Sequence, residues 1–88
     1  MNDSDKIWQF PCEFPLKVVG KTSPEFEIFV LSVIRKHVPD LAENAISSRT
    51  SKDGHYLAIT IIIQATSKEQ LDAIYIDLSA NELVLMAL

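Results

Sequence analysis

Three side chains in this sequence are of types that ligate metals or act as nucleophiles or bases: Cys12, His37 and His55. They lie far apart along the chain, and no pair has the short spacing that is typical of zinc sites. We interpret Cys12 as a small buried or half-buried hydrophobic residue, His37 as a residue at a helix C-terminus or at the core edge, and His55 as a turn residue. The sequence therefore predicts no metal site, no cofactor and no catalytic residues.

The segment GKTSPEF, residues 20–26, is the most suggestive place for a small ligand. Glycine permits a close backbone approach, and the start of the following helix offers unpaired N–H groups to an anion. The segment lacks the phosphate-loop spacing G-x-x-x-x-G-K-[ST], and Glu25 and Glu27 would repel an anion. Two interpretations stay open: a tight strand-to-helix turn, or an effector loop formed by Gly20, Lys21, Thr22 and Ser23.

Length and composition are those of one small acidic domain. The 88 residues, 48% hydrophobic and 23% charged, suffice for a single compact core. A net charge of −4 with scattered basic residues argues against sequence-independent binding to nucleic acid, which needs Lys and Arg to neutralise phosphates. A lone cysteine fits a reducing compartment, and no apolar segment reaches the roughly 18 residues of a membrane span. We expect a cytoplasmic protein without nucleic-acid or membrane partners.

The N-terminal region should pass from an arm into a strand. Residues 1–9 are polar and aperiodic, which predicts a flexible arm ahead of a single domain at residues 10–88. Trp8 and Phe10 are the expected contacts between this arm and the domain. Residues 16–20 are predicted as the first strand, ending at its glycine. Phe14, Leu16 and Val18 should share one side of it, and Lys17 and Val19 the other.

A strongly signalled helix follows the loop. Ser23 is a suitable N-cap, Pro24 suits the first helical position, and Pro39 forces the end. Acidic residues in the first turn and basic residues in the last match the helix dipole. Ile28 and Leu31 widen the apolar stripe, either as rim residues or as a partner surface. The core-facing stripe consists of Phe26, Phe29, Val30, Val33, Ile34 and His37.

The densest run of β-branched residues, YLAITIIIQAT at residues 56–66, predicts a central strand. Its odd positions are all apolar and should face the core, whereas its even positions are mixed. The polar segment at residues 45–51 predicts an edge strand. Asp53 and Gly54 form a tight-turn signal between the two segments, so the pair should be an antiparallel hairpin.

A second helix is predicted after the central strand. Ser67 and Gln70 have capping-box spacing, and an apolar stripe follows at helical intervals. Asn81 is expected to end this helix in the left-handed conformation. Asp72 and Asp77 are expected on its solvent side.

Residues 83–88 predict a final strand, in which we assign Val84, Met86 and Leu88 to the core. The order β-α-β-β-α-β, with right-handed crossovers and a middle hairpin, predicts an α+β ferredoxin-like sandwich. It comprises a four-stranded antiparallel sheet, with strands one and three central, and two helices on one face. The uncovered face supplies a candidate interaction face: Lys17, Val19, Tyr56, Thr60, Ile62 and Leu85.

The combined pattern resembles the YbeD family, small bacterial proteins of unknown function that are also labelled lipoate regulatory proteins. The resemblance implies an ACT-like fold, in which the turn after strand one binds small effectors such as amino acids. It therefore points to the effector loop, although this sequence lacks the aspartate and proline that precede the glycine in ACT domains. The segments that carry the resemblance are FPCEFPLKVVG at 10–20, VIRKHVPD at 33–40, DGHYLAITIIIQAT at 53–66, EQLDAIYIDL at 69–78 and VLMAL at 84–88.

Two functions follow as hypotheses. The first is a non-enzymatic regulatory or protein-interaction module that uses the open sheet face or an edge strand, with a homodimer as one form of it. The alternative is an ACT-like sensor of a small effector, for which the resemblance implies a link to lipoate metabolism. The sequence identifies neither the partner protein nor the effector.

Overall fold

A computed structural model describes residues 9–88, which form a four-stranded antiparallel sheet with two helices against one face. The sheet order is β2-β3-β1-β4, so strands one and three are central, as predicted. A 3₁₀ turn at Glu43–Ala45 precedes β2. The elements are β1 (Cys12–Lys21), α1 (Pro24–His37), β2 (Ile46–Thr50), β3 (Tyr56–Ala65), α2 (Lys68–Ser79) and β4 (Val84–Ala87). The ferredoxin-like arrangement is confirmed.

Predictions for the N-terminal region fall partly outside the described structure. Trp8 and the predicted arm, apart from Gln9, lie outside the described residues. Phe10 and Cys12 are half-buried and pack against the core, as expected. Within residues 9–88, neither helix is long and apolar enough to cross a membrane.

The alternation along β3 follows the predicted pattern. Ile59, Ile61 and Ile63 are buried under the helices, whereas Ile62 lies on the opposite side of the sheet. Burying one such side chain contributes about 1.5–3 kcal/mol to folding. This run therefore supplies much of the core to which both helices contribute.

Strand β1 is longer than predicted and includes Pro15. Proline lacks the N–H that a central strand normally uses. The backbone N–H and C=O of Lys17 bond to Leu88, on the β4 side of β1. Backbone groups two residues apart in a strand point to the same side, so the Pro15 nitrogen also points toward the β4 side. Pairing with β4 covers residues 17–20 and does not extend to position 15, so no strand hydrogen bond is lost there.

Both helices begin at their predicted caps. The Ser23 Oγ accepts a hydrogen bond from the Phe26 N–H at 3.1 Å, and the Ser67 Oγ accepts one from the Gln70 N–H at 3.0 Å. The Gln70 side chain in turn accepts from the Thr66 N–H at 2.8 Å, one residue earlier than in a standard capping box. Local side-chain chemistry therefore sets both helix starts.

Helix α2 does not end as predicted. Among the described residues, only Gly54 has a positive φ, 78°, so Asn81 is not left-handed. The Asn81 Oδ1 instead accepts a hydrogen bond from the Leu83 N–H at 2.8 Å, and this closes the turn before β4. Asparagine is therefore suited to this turn, but the left-handed backbone conformation predicted for Asn81 is wrong.

The alternation assumed for β4 is also wrong. Val84 packs against the core as predicted, but a bulge inserts Leu85 before Met86, which lies opposite Val19. Met86 is 52% exposed and Leu88 is 59% exposed. The bulge shifts the side-chain alternation, so these two residues lie outside the core to which they were assigned.

Candidate functional site

The sheet face opposite the helices, called the open face below, gathers the predicted interaction residues. Residues Val19 and Ala58 lie opposite each other, and the next row pairs Lys17 with Thr60. Leu85 lies in the β4 bulge and is 55% exposed. The predicted residues that alternate onto the open face are Lys17, Val19, Tyr56, Thr60 and Ile62.

The open face changes character from one edge to the other. One row across the sheet runs from Arg49 on β2 through Ala58 and Val19 to Met86 on β4. The β2 side is therefore basic and the β4 side apolar. We define the apolar edge as Leu85, Met86 and Leu88, all more than half exposed.

A concave region of about 480 Å³ lies on the basic side of the open face. Its lining, as far as residues 9–88 form it, combines three cations with hydroxyl and apolar groups and contains no carboxylate. We call it the basic groove and define it by Lys17, Val19, Arg49, Lys52, Tyr56 and Ala58.

The predicted effector loop divides into structural and exposed residues. Gly20 is buried in β1, and a Cβ at this position would come within 2.5 Å of the Leu83 carbonyl oxygen. Close packing, and not the turn geometry expected from the sequence, therefore requires glycine here. Ser23 serves as the cap of α1. Lys21 and Thr22 remain exposed.

The exposed part of the loop meets the β2–β3 hairpin. The Thr22 N–H donates to the His55 carbonyl oxygen at 2.9 Å. Lys21, Thr22, Gly54, His55 and Tyr56 line a second concave region of about 420 Å³. Tyr56 also lines the basic groove, so the two concave regions adjoin.

The hairpin carboxylate is engaged within its own turn. The Asp53 Oδ1 accepts hydrogen bonds from the Ser51 hydroxyl at 2.7 Å and the His55 N–H at 3.0 Å. The Ser51 bond is the main cause that lowers the pKa of Asp53. His55 is an exposed turn residue, as predicted. These contacts shape the loop beside the basic groove.

The helices share a polar link that the periodicity of the sequence did not predict. The His37 Nε2 lies 2.7 Å from the Asp77 Oδ2, and the Lys36 Nζ lies 3.4 Å from the same oxygen. The hydrogen bond with His37 is the main cause that lowers the pKa of Asp77. Asp77 thus faces α1 and not only solvent. The sequence signal for this contact is the position of Asp77 three residues after the buried Ile74, which places it next to the core-facing stripe of α2.

Within residues 9–88, no group of three or more His, Cys, Asp or Glu side chains is arranged to hold a metal ion. His37 is half-buried at the core edge, as predicted, and bonds across the helix pair. His55 bonds within the hairpin. The concave surfaces of the open face are therefore the best candidate sites.

Comparison with other proteins places the chain among bacterial proteins of similar length. A UPF0250 protein of Chromobacterium violaceum is 40% identical over 87 residues, which cover 99% of this chain and 98% of that protein. A UPF0250 protein of Neisseria gonorrhoeae is 45% identical over 80 residues, 91% of this chain and 88% of that one.

Two solved structures show the same fold at low sequence identity. The solution structure of protein HP0495 from H. pylori has a TM-score of 0.71 at 13% identity, covering 92% of this chain and 85% of that one. The C-terminal domain of the MgtC protein from Mycobacterium tuberculosis has a TM-score of 0.61 at 15% identity, with 92% and 88% covered.

The sequence profile described as "Protein of unknown function (DUF493)" matches residues 5–88. This match and the UPF0250 relatives confirm the YbeD resemblance of the sequence. The chain therefore belongs to the DUF493 family of proteins of unknown function.

Proposed function

We propose that this protein is a non-enzymatic interaction module that pairs with a second copy of itself through β4 and the apolar edge. The observation that carries the proposal is an edge strand without a single charged side chain, VLMA, flanked by exposed Leu88. Contiguous apolar surface of this kind is typical of surfaces that bind another protein.

The two edges of the sheet differ in the protection they offer against pairing. Natural edge strands usually carry charges or other devices that prevent contact with another strand. Strand β2, ISSRT, is polar and carries Arg49. Strand β4 carries no charged side chain, and its bulge lies at Leu85, so pairing is favoured along the part of this edge that follows the bulge, residues 86–88.

A second copy fits this edge because of its symmetry. Two β4 strands related by a two-fold axis would run antiparallel and present the same residues to each other. The backbone N–H and C=O of Leu88 bond to Lys17 on β1. Backbone groups of successive strand residues point to opposite sides, so the N–H and C=O of Ala87 point away from β1 and toward a partner strand. Two uncharged strands also meet without like-charge contacts, although the chain has a net charge of −4.

The two histidine–carboxylate pairs lie at structural positions among the described residues. The pair of His37 and Asp77 links the helices, and the pair of His55 and Asp53 belongs to the hairpin. The alternative role, a sensor built on residues 20–23, has less support. Gly20 and Ser23 already serve packing and helix capping, which leaves Lys21 and Thr22 for a ligand.

The test is the molar mass in solution over a concentration series. We expect the mass of the wild-type chain to rise from 9.9 kDa toward twice that value as the concentration approaches about 1 mM. Met86→Lys should raise the dissociation constant of the dimer by about tenfold or more, because it buries an unpaired charge. The matched control is Ile76→Lys, which changes a 69% exposed residue on α2.

A wild-type mass that stays at 9.9 kDa over the whole series would refute pairing with a second copy. Equal weakening by Met86→Lys and Ile76→Lys would show that added charge, and not the β4 edge, controls association. Circular dichroism spectra of both variants establish that they are folded.

A further inference from the structure

We propose that the basic groove binds a small organic anion, in which a carboxylate or phosphate is attached to an apolar or planar group. The groove extends from β1 across β3 to β2 and the hairpin, and none of the residues that define it belongs to the apolar edge on and beside β4. The proposal therefore goes beyond self-association and does not depend on it.

The fold brings together cations that are distant in sequence. Lys17 comes from β1, Arg49 from β2 and Lys52 from the hairpin. Strand register places Lys17 beside Thr60 and Arg49 beside Ala58, in adjoining rows of the open face. The scattered distribution of basic residues along the sequence thus conceals a cluster in space.

The three cations are not neutralised within the described structure. None of them forms an ion pair among residues 9–88, and the groove lining contains no carboxylate. The nearby Asp53 is held by Ser51 and His55 in its own turn. A concave surface lined only by positive charges concentrates positive potential and attracts anions, even in a chain with a net charge of −4.

The apolar part of the groove specifies the rest of the ligand. Val19 and Ala58 are half-buried between the cations, and the Tyr56 side chain is partly exposed. Arg49 can hold a carboxylate or phosphate with two parallel hydrogen bonds, while a ring or short chain covers the apolar groups. An inorganic ion would leave these apolar contacts unused. The volume of about 480 Å³ suits a small molecule.

The test is a titration of ¹⁵N-labelled protein with benzoate, phenyl phosphate and inorganic phosphate at constant ionic strength, followed by amide NMR shifts. Benzoate and phenyl phosphate share a ring and differ in the anionic group, so their comparison identifies the preferred head group. We expect saturable shifts at Val19, Thr50 and Ala58 with at least one ring-bearing probe, and weaker binding of inorganic phosphate.

Arg49→Gln should weaken binding of the better probe by about tenfold, because it removes a charged hydrogen-bonding partner. The control is Arg35→Gln, an identical change at an exposed residue of α1, which should leave the affinity unchanged. The titration is repeated with wild-type protein at a concentration well below that at which it self-associates, where we expect the same affinity. A failure of self-association is thereby separated from a failure of the groove.

Three results would overturn the proposal. One is the absence of saturable shifts with both ring-bearing probes. Another is equal affinity for inorganic phosphate, which would leave no role for the apolar groups. The third is equal weakening by Arg49→Gln and Arg35→Gln, which would indicate a general charge effect.

Discussion

The two glycines of this chain are needed for different physical reasons. Gly20 lies in β1, where an added Cβ would come within 2.5 Å of both the Leu83 carbonyl oxygen and the Phe26 ring. Gly54 lies in the hairpin, where an added Cβ has open space but φ is +78°. Packing requires the first glycine, and backbone conformation favours the second.

We expect Gly20→Ala to lower the free energy of unfolding by about 3 kcal/mol, because the Leu83 backbone and the Phe26 ring must both move. Gly54→Ala should cost about 1 kcal/mol, the penalty for a positive φ without a clash. Urea denaturation followed by circular dichroism measures both. Equal losses in the two variants would contradict the assignment of Gly20 to close packing.

At the scale of elements, the two helices are joined by polar contacts as well as by the core. The Asp77 carboxylate on α2 lies within hydrogen-bond distance of the His37 and Lys36 side chains at the end of α1. The Gln70 Nε2 on α2 donates a hydrogen bond to the His37 carbonyl oxygen at 3.2 Å. Sequence periodicity predicted each helix separately, but it assigned Asp77 to solvent. The contact depends on how the helices lie side by side on the sheet.

We expect this link to make the free energy of unfolding depend on pH in the acid range. The pKa of Asp77 is lowered in the folded protein from the ordinary value of 3.8, so its contribution to stability is present above pH 3.8 and is lost as pH falls through the folded-state pKa. We expect the unfolding free energy of Asp77→Ala to fall less steeply than that of the wild type between about pH 4 and about pH 2.

The comparison variant for this measurement is Asp72→Ala. Asp72 also lies on α2, but among residues 9–88 it pairs only with the exposed Lys68, at 3.0 Å. Its removal should leave the wild-type pH dependence nearly unchanged, because exposed ion pairs contribute little. Parallel curves for Asp77→Ala and the wild type would show that the helix link does not contribute to acid stability.

At the scale of the whole molecule, one core joins both central strands to both helices. Ile61 is 0% exposed in this core, whereas its neighbour Ile62 is 36% exposed on the open face. Side chains one position apart on β3 therefore belong to different surfaces, one structural and one accessible to a partner.

We expect Ile61→Ala to lower the free energy of unfolding by about 2–5 kcal/mol, through lost burial and the cavity left behind. Ile62→Ala should cost clearly less. Ile61→Val, with an expected cost of about 0.5–1.5 kcal/mol, keeps the comparison measurable if the alanine variant does not fold. Thermal and urea unfolding provide the values. A larger loss at Ile62 than at Ile61 would contradict the placement of the core.

The sequence alone determined the elements and their order. Capping residues at Ser23 and Ser67, the alternation along residues 56–66 and the Asp53-Gly54 turn are local signals, and right-handed connections leave few topologies for them. Only the tertiary structure decided which side chains lie side by side. Lateral neighbours depend on strand register, and the bulge at Leu85 shifts the side-chain alternation of β4. The basic groove, the apolar edge and the helix link arise from contacts between distant segments, and no local pattern records those distances.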